Sequence, residues 1–163
     1  MPYYIRKIDK AKWMQTDAST SDIAADAITN CLNTKRNQLS FWKIDNIESG
    51  DIDEVLKAMI TTFTSGIDTF DIIIIDELEI PTGIERIQST SPTPYLSMSN
   101  YHYDFIELTL QKLTGLSQLI YSKITTTNVK RVTRSQGKNL IRTLVQNDPS
   151  FKEKLHSSIA NSL

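Results

Sequence analysis

Nine residues, Asp71-Ile-Ile-Ile-Ile-Asp-Glu-Leu-Glu79, restrict the fold of this chain more than any other stretch. Four consecutive β-branched side chains favour extended backbone over helix. Neighbouring side chains of a strand point to opposite faces, so an unbroken apolar run needs apolar cover on both sides of its sheet. A strand over residues 70–76 is therefore predicted at the centre of the sheet. Its C-terminal end emerges carrying the acids Asp76, Glu77 and Glu79.

Strand and helix patterns alternate around this centre. Residues 3–8 read as a first strand and 9–20 as a loop anchored by Trp13. Ser21 or Asp22 then caps a helix reaching about Asn33, with Ile23, Ala27, Ile28, Cys31 and Leu32 facing inward. The polar alternation of 39–44 places a second strand nearer an edge. Ile52, Val55, Leu56, Met59, Ile60 and Phe63 recur at helical spacing.

Beyond the central strand, residues 81–100 are rich in Ser, Thr and Pro and are expected to form a long flexible loop, in which 84–87 offer the central strand a short hairpin partner. A long helix over 103–124, a strand over 129–133, a helix carrying Leu140, Ile141, Leu144 and Val145, and a terminal amphipathic helix with Phe151, Leu155 and Ile159 complete the chain. Asp148-Pro149 separates the last two helices. The order predicts an α+β or α/β fold: a single-layer sheet of four to five strands, largely parallel or mixed, with helices packed on it. At 163 residues the chain is expected to form one globular domain over 1–163, large enough to bury a core without staples.

A hydrophobic fraction of 39%, a charged fraction of 23% and a net charge of -1 exclude a disordered chain and a general polyanion binder. Cys31 has no second cysteine with which to form an intrachain disulfide or a multi-cysteine metal site, and its helical position makes it a core thiol. No signal-like leader and no apolar run of membrane-spanning length is read. The expected setting is cytoplasmic, without a membrane partner.

The acidic strand end resembles the Mg-binding strand of P-loop nucleotide hydrolases, in which an Asp holds the metal's water shell and a Glu activates water. That chemistry requires a Gly-x-x-x-x-Gly-Lys-Ser/Thr loop to surround the phosphates. Ser135-Gln-Gly-Lys-Asn139 is the nearest text; it lacks the first glycine and has Asn139 at the hydroxyl position. Arg6, Ser89-Thr-Ser91 and Glu77-Leu-Glu79 likewise resemble the three dinucleotide-holding elements of some ADP-ribosyltransferases, with the last two in inverted order. A divalent-metal site would combine Asp76, Glu77 and Glu79 with Asp104 or Glu107, although alternate strand side chains diverge. His102, beside Tyr103 and Asp104, is the remaining candidate acid-base group. Asp76, Glu77, Glu79 and His102 are thus the weak catalytic candidates, and no cofactor or resident metal is expected.

Charge is distributed unevenly. Residues 1–122 hold 10 basic and 17 acidic side chains, whereas 123–163 hold 8 and 2. Lys130, Arg131, Arg134, Lys138 and Arg142 gather at a strand-to-helix junction, and the last three align on one face if the helix begins at Arg134. These five are the candidate binding residues. The region lacks aromatic side chains free to stack on bases, which disfavours single-strand recognition. The leading expectation is a non-catalytic interaction or regulatory protein with a protein partner, self-association being left open. Nucleic-acid binding through the basic 123–154 region is the alternative, and a metal- or nucleotide-dependent enzyme centred on residues 76–79 is the second.

Overall fold

The computed structural model describes residues 1–14, 23–124 and 128–163. Its strands are β1 (Tyr3–Ile8), β2 (Leu39–Ile44), β3 (Phe70–Asp76), β4 (Glu85–Gln88), β5 (His102–Ile106) and β6 (Val129–Val132). The helices are α1 (Lys10–Trp13), α2 (Ala25–Cys31), α3 (Ser49–Ile60), α4 (Leu110–Ile124), α5 (Arg134–Asn147) and α6 (Ser157–Ala160), with 3-10 turns at Glu77–Glu79, Leu96–Tyr101 and Pro149–Lys154. The proposed helix caps Ser21 and Asp22 lie outside the described residues.

One open sheet of six strands in the order β4-β5-β2-β1-β3-β6 organises the molecule, and every pairing is antiparallel. The expected four to five strands and the parallel or mixed pairing are corrected accordingly; the α+β class is observed. β3 is an interior strand between β1 and β6, as its composition requires. Ile72 packs in one core and Ile73 and Ile75 in the other, all three fully buried. Each such side chain contributes about 1.5–3 kcal/mol by leaving water. α3, α5 and α6 cover the first face, while α1, α2 and α4 cover the second.

One unforeseen strand, β5, and the partner taken by β4 account for most departures from the sequence reading. β5 occupies the first part of the expected 103–124 helix, because Tyr103 and Phe105 pack on one face at a period of two. Glu107 then adopts φ 53°, which ends the strand before α4 starts at Leu110. β4 exists where a hairpin partner was expected, but it pairs with β5 instead of β3. These additions make β2 interior, between β1 and β5, rather than near an edge. The terminal helix is replaced by a 3-10 turn and the short α6, although Phe151, Leu155 and Ile159 remain buried.

The 81–100 stretch is tied to the body at several points. Thr93 is buried against Thr61, their hydroxyls 2.6 Å apart, and Met98 enters the first core. The Tyr95 hydroxyl donates to Glu54, whose other oxygen accepts from Lys57 at 2.6 Å. Burial opposes ionisation of Glu54, but the hydrogen bonds from Lys57 and Tyr95 outweigh it and hold its pKa below the ordinary value.

Near the C-terminal end of β1 the sheet divides. β1 pairs with β3 over six positions but with β2 only over Tyr3↔Ile44, Tyr4↔Lys43 and Ile5↔Trp42. From there β2 stays with β5 and β1 stays with β3. Arg6 reaches across the opening, its Nη1 donating to the Ser40 carbonyl at 2.5 Å and its Nε to the Cys31 carbonyl at 2.9 Å. Cys31 is buried, as expected for a core thiol, and its Sγ accepts from the Asp9 amide at 3.2 Å.

Candidate functional site

At the C-terminal end of β3 the chain turns immediately into a 3-10 helix, which sends successive acids in different directions. Asp76 turns back to accept from the Leu78 amide at 2.9 Å, capping the turn. Glu77 meets Arg86 of β4 at 3.2 Å and accepts from the Tyr4 hydroxyl at 3.3 Å. Burial, followed by the negative charge of Glu77, pushes the Tyr4 phenol up to about 12. Glu79 pairs with Lys123 of α4. Each acid therefore has its own partner, and among the described residues no cluster of three or more potential ligands could hold a metal ion.

His102 lies elsewhere. It is buried on β5, three strands from β3, or roughly 14 Å by ordinary strand spacing. Its Nδ1 is 2.8 Å from the Ser89 hydroxyl, and its ring stands edge-on to Trp42 at 5.1 Å. Burial lowers its pKa, with Asp104 acting in the opposite direction. The enzyme-like set Asp76, Glu77, Glu79 and His102 is thus not brought together. Nor are all three dinucleotide-holding elements: Ser89 bonds His102, which borders the same cleft as Arg6, but Arg6 lies opposite Ile73, three register positions from the Tyr3↔Asp76 pair that leads to Glu77 and Glu79.

Gly137, the glycine of the phosphate-loop-like text, is buried inside α5. A Cβ there would lie 2.7 Å from Ile67 Cγ2 and 3.3 Å from Ile60 Cδ1, so glycine is needed for helix packing. The loop that would wrap phosphates is a regular helix. It begins at Arg134 with a Thr133/Gln136 capping box, the Thr-x-x-Gln signature legible in the sequence.

The basic junction is engaged largely within the molecule. Arg131 pairs with Asp71. Lys138 donates to the Ser162 carbonyl, and Arg142 donates to the Leu163 carbonyl through Nε and Nη2 at 3.1 and 2.9 Å. Arg134, Lys138 and Arg142 do share α5 at four-residue spacing, but two of the three hold the C-terminal segment against it. Lys130 instead borders a cavity.

That cavity, about 530 Å³, joins parts of both expected sites. Asp76 and Glu79 line it beside Lys123 and Lys130, and Tyr3, Ile52 and Ile74 supply apolar wall. Ile47 and Leu78 stand at its rim, 53% and 75% exposed. Sequence reasoning passed over both. The sequence carried no signal for them, since single exposed apolar residues are ordinary and only the fold brings these two to one rim.

The sheet division forms a second cleft, of about 610 Å³, bordered by Arg6, Lys7, Ser40, Trp42 and His102. Burial pulls the Arg6 guanidinium down to about 10, with Cys31 and Asp104 acting against that shift, so it remains charged at neutral pH. Among the described residues no helix is long and apolar enough to cross a membrane. Comparison with protein-family models, curated proteins and solved structures finds no match to this chain.

Proposed function

We propose that this chain acts by association with another protein, as a non-catalytic interaction or regulatory component, and that the cavity at the C-terminal end of β3 receives the partner. The observation carrying this reading is the pairing of Ile47 and Leu78 on the rim of one cavity walled by Tyr3, Ile52 and Ile74. Exposed bulky apolar groups beside an apolar depression favour removal from water, and a bulky partner side chain would supply that removal. Asp76, Glu79, Lys123 and Lys130 give the rim both signs of charge, which selects orientation more than it adds affinity. The dispersal of the acids and His102 supports a non-catalytic role. The internal pairing of Arg131, Lys138 and Arg142 supports protein over nucleic acid as the partner.

Affinity capture with the tagged chain, followed by cross-linking, tests this reading. A recurring protein partner is expected with the wild type, is lost with Ile47→Asp/Leu78→Asp, and is retained with Leu110→Asp, which alters an exposed residue of a different surface. Recovery of no recurring partner, with a monodisperse monomer in solution, would refute the proposal. Equal capture by the Ile47→Asp/Leu78→Asp variant would refute the assignment of the surface.

A further inference from the structure

The cleft at the sheet division carries two cationic side chains, Arg6 and Lys7, that have no ion-pair partner among the described residues. Arg6 is half-buried; the carbonyls of Cys31 and Ser40 take its Nε and Nη1, while its Nη2 has no hydrogen-bond partner among the described residues. The Lys7 ammonium lies over the Phe63 ring at 4.4 Å, a contact that holds a cation without cancelling its charge.

Among the described residues two carboxylates are near; each keeps its charge, but neither reaches ion-pair distance of Arg6 or Lys7. Asp9 borders the cleft, and its Oδ1 accepts from the Ala11 amide to cap α1. Asp104 attracts Arg6 without reaching ion-pair distance and accepts from the Ser40 hydroxyl at 2.7 Å. Placing a guanidinium in a partly desolvated site without a bound anion costs free energy, and carbonyl dipoles offset only part of that cost. The remaining edge of a guanidinium held by two carbonyls suits an oxyanion. Trp42, Met59, Phe63 and Pro92 provide apolar wall beside it.

We infer that this cleft binds a small organic anion, with a phosphate- or carboxylate-type group on the open edge of Arg6, the charge of Lys7 bordering the same cleft, and an apolar body against Trp42, Met59 and Phe63. Its volume of about 610 Å³ falls within the usual range for small-molecule sites. The division of the sheet explains why the site exists. Where β1 and β2 cease to pair, a side chain rather than the neighbouring strand satisfies the Ser40 carbonyl, and that side chain brings the charge.

Titration of isotopically labelled protein with phenyl phosphate at low salt, followed by amide chemical shifts, tests the inference. Saturable shifts are expected at residues 6–8, 30–31, 40–42 and 102, with a response at least tenfold weaker to the uncharged probe benzyl alcohol. Lys7 is exposed, so Lys7→Glu gives up its contact with the Phe63 ring without opening a buried cavity, and it is expected to weaken phenyl phosphate binding at least tenfold. Arg6→Lys, which keeps the charge but loses the planar fork, is expected to weaken it as well. No saturable shift, shifts confined to another surface, or an undiminished response in Lys7→Glu would overturn the inference. The association surface at the end of β3 is not involved, so either proposal can fail alone.

Discussion

Asp71 and Arg131 face each other directly across the β3/β6 ladder and meet at two points, Nε to Oδ1 at 3.0 Å and Nη2 to Oδ2 at 3.3 Å. Asp71 is buried, whereas Arg131 is largely exposed. The hydrogen bonds and charge of Asp71 raise the Arg131 pKa. Through this pair a carboxylate is tolerated at the start of the isoleucine run, on a strand otherwise covered on both faces.

Removing Arg131 leaves that carboxylate buried without its cation, which is costlier than losing an exposed charge. Arg131→Ala is expected to lower the melting temperature more than Arg134→Ala does. A double-mutant cycle with Asp71→Ala, followed by thermal denaturation, should show favourable coupling. Additive effects would mean that the two-point contact contributes nothing.

Gly137 and Gly50 should respond to alanine with opposite signs. At Gly137 the added methyl collides with Ile67, 2.7 Å away. The resulting overpacking of about 1–3 kcal/mol exceeds the gain of about 1 kcal/mol in helix propensity. At Gly50, in the first turn of α3, nothing lies within 4 Å of the new atom. Gly50→Ala is therefore expected to stabilise by up to about 1 kcal/mol. Urea unfolding of both variants checks the contrast.

His102 gives the fold a calculable pH response. Burial lowers its folded pKa below 6.5, so between that value and 6.5 the unfolded chain binds more protons. Its stabilising contribution is full above pH 6.5 and is lost progressively as pH falls from there through the folded pKa. Unfolding free energies of wild type and His102→Gln at pH 7.5 and 5.5 provide the measurement. The variant should lose less stability on acidification; an identical loss would remove His102 as the source.

Glu107 occupies left-handed backbone, φ 53°, at the junction of β5 and α4. An L side chain costs about 1–2 kcal/mol in that region, and glycine's greater unfolded-state freedom returns part of the difference. Glu107→Gly is expected to stabilise by about 0.5–1 kcal/mol, as read by chemical denaturation. Destabilisation would show that the Glu107 side chain makes a contribution exceeding the strain.

The Tyr95 hydroxyl joins the 81–100 stretch to α3 through Glu54, while its ring stands perpendicular to Phe151 at 6.1 Å. Tyr95→Phe preserves the ring contact and removes the bond, costing about 1 kcal/mol. Limited proteolysis should then cleave the 89–95 segment faster than in the wild type. Unchanged cleavage would mean that Thr61, Thr93 and Met98 suffice to hold it.

Four consecutive isoleucines did determine a strand covered on both faces, because backbone alternation sends adjacent side chains to opposite sides whatever lies there. The α5 start at Arg134 entered the sequence reading only as a condition, with Thr133 assigned to the strand, although the Thr133/Gln136 capping box that fixes it is a local feature. Cys31 could be placed in a core from its helical neighbours alone. Such features are decided by contacts short in sequence or by composition.

Strand order, antiparallel pairing and the destination of the charged groups were decided only by tertiary structure. Periodicity reports which face is buried, but a strand's backbone hydrogen bonds leave no mark of the partner, so β5 was absorbed into the adjoining helix and β2 was placed toward an edge. Glu77 and Glu79 went to Arg86 and Lys123, and Asp71 went to Arg131, because each charge settles on the opposite charge the fold brings within reach. The two clefts arise in the same way, one where β3 ends beside α3 and β6, the other where β1 and β2 stop pairing and Arg6 enters the space between them.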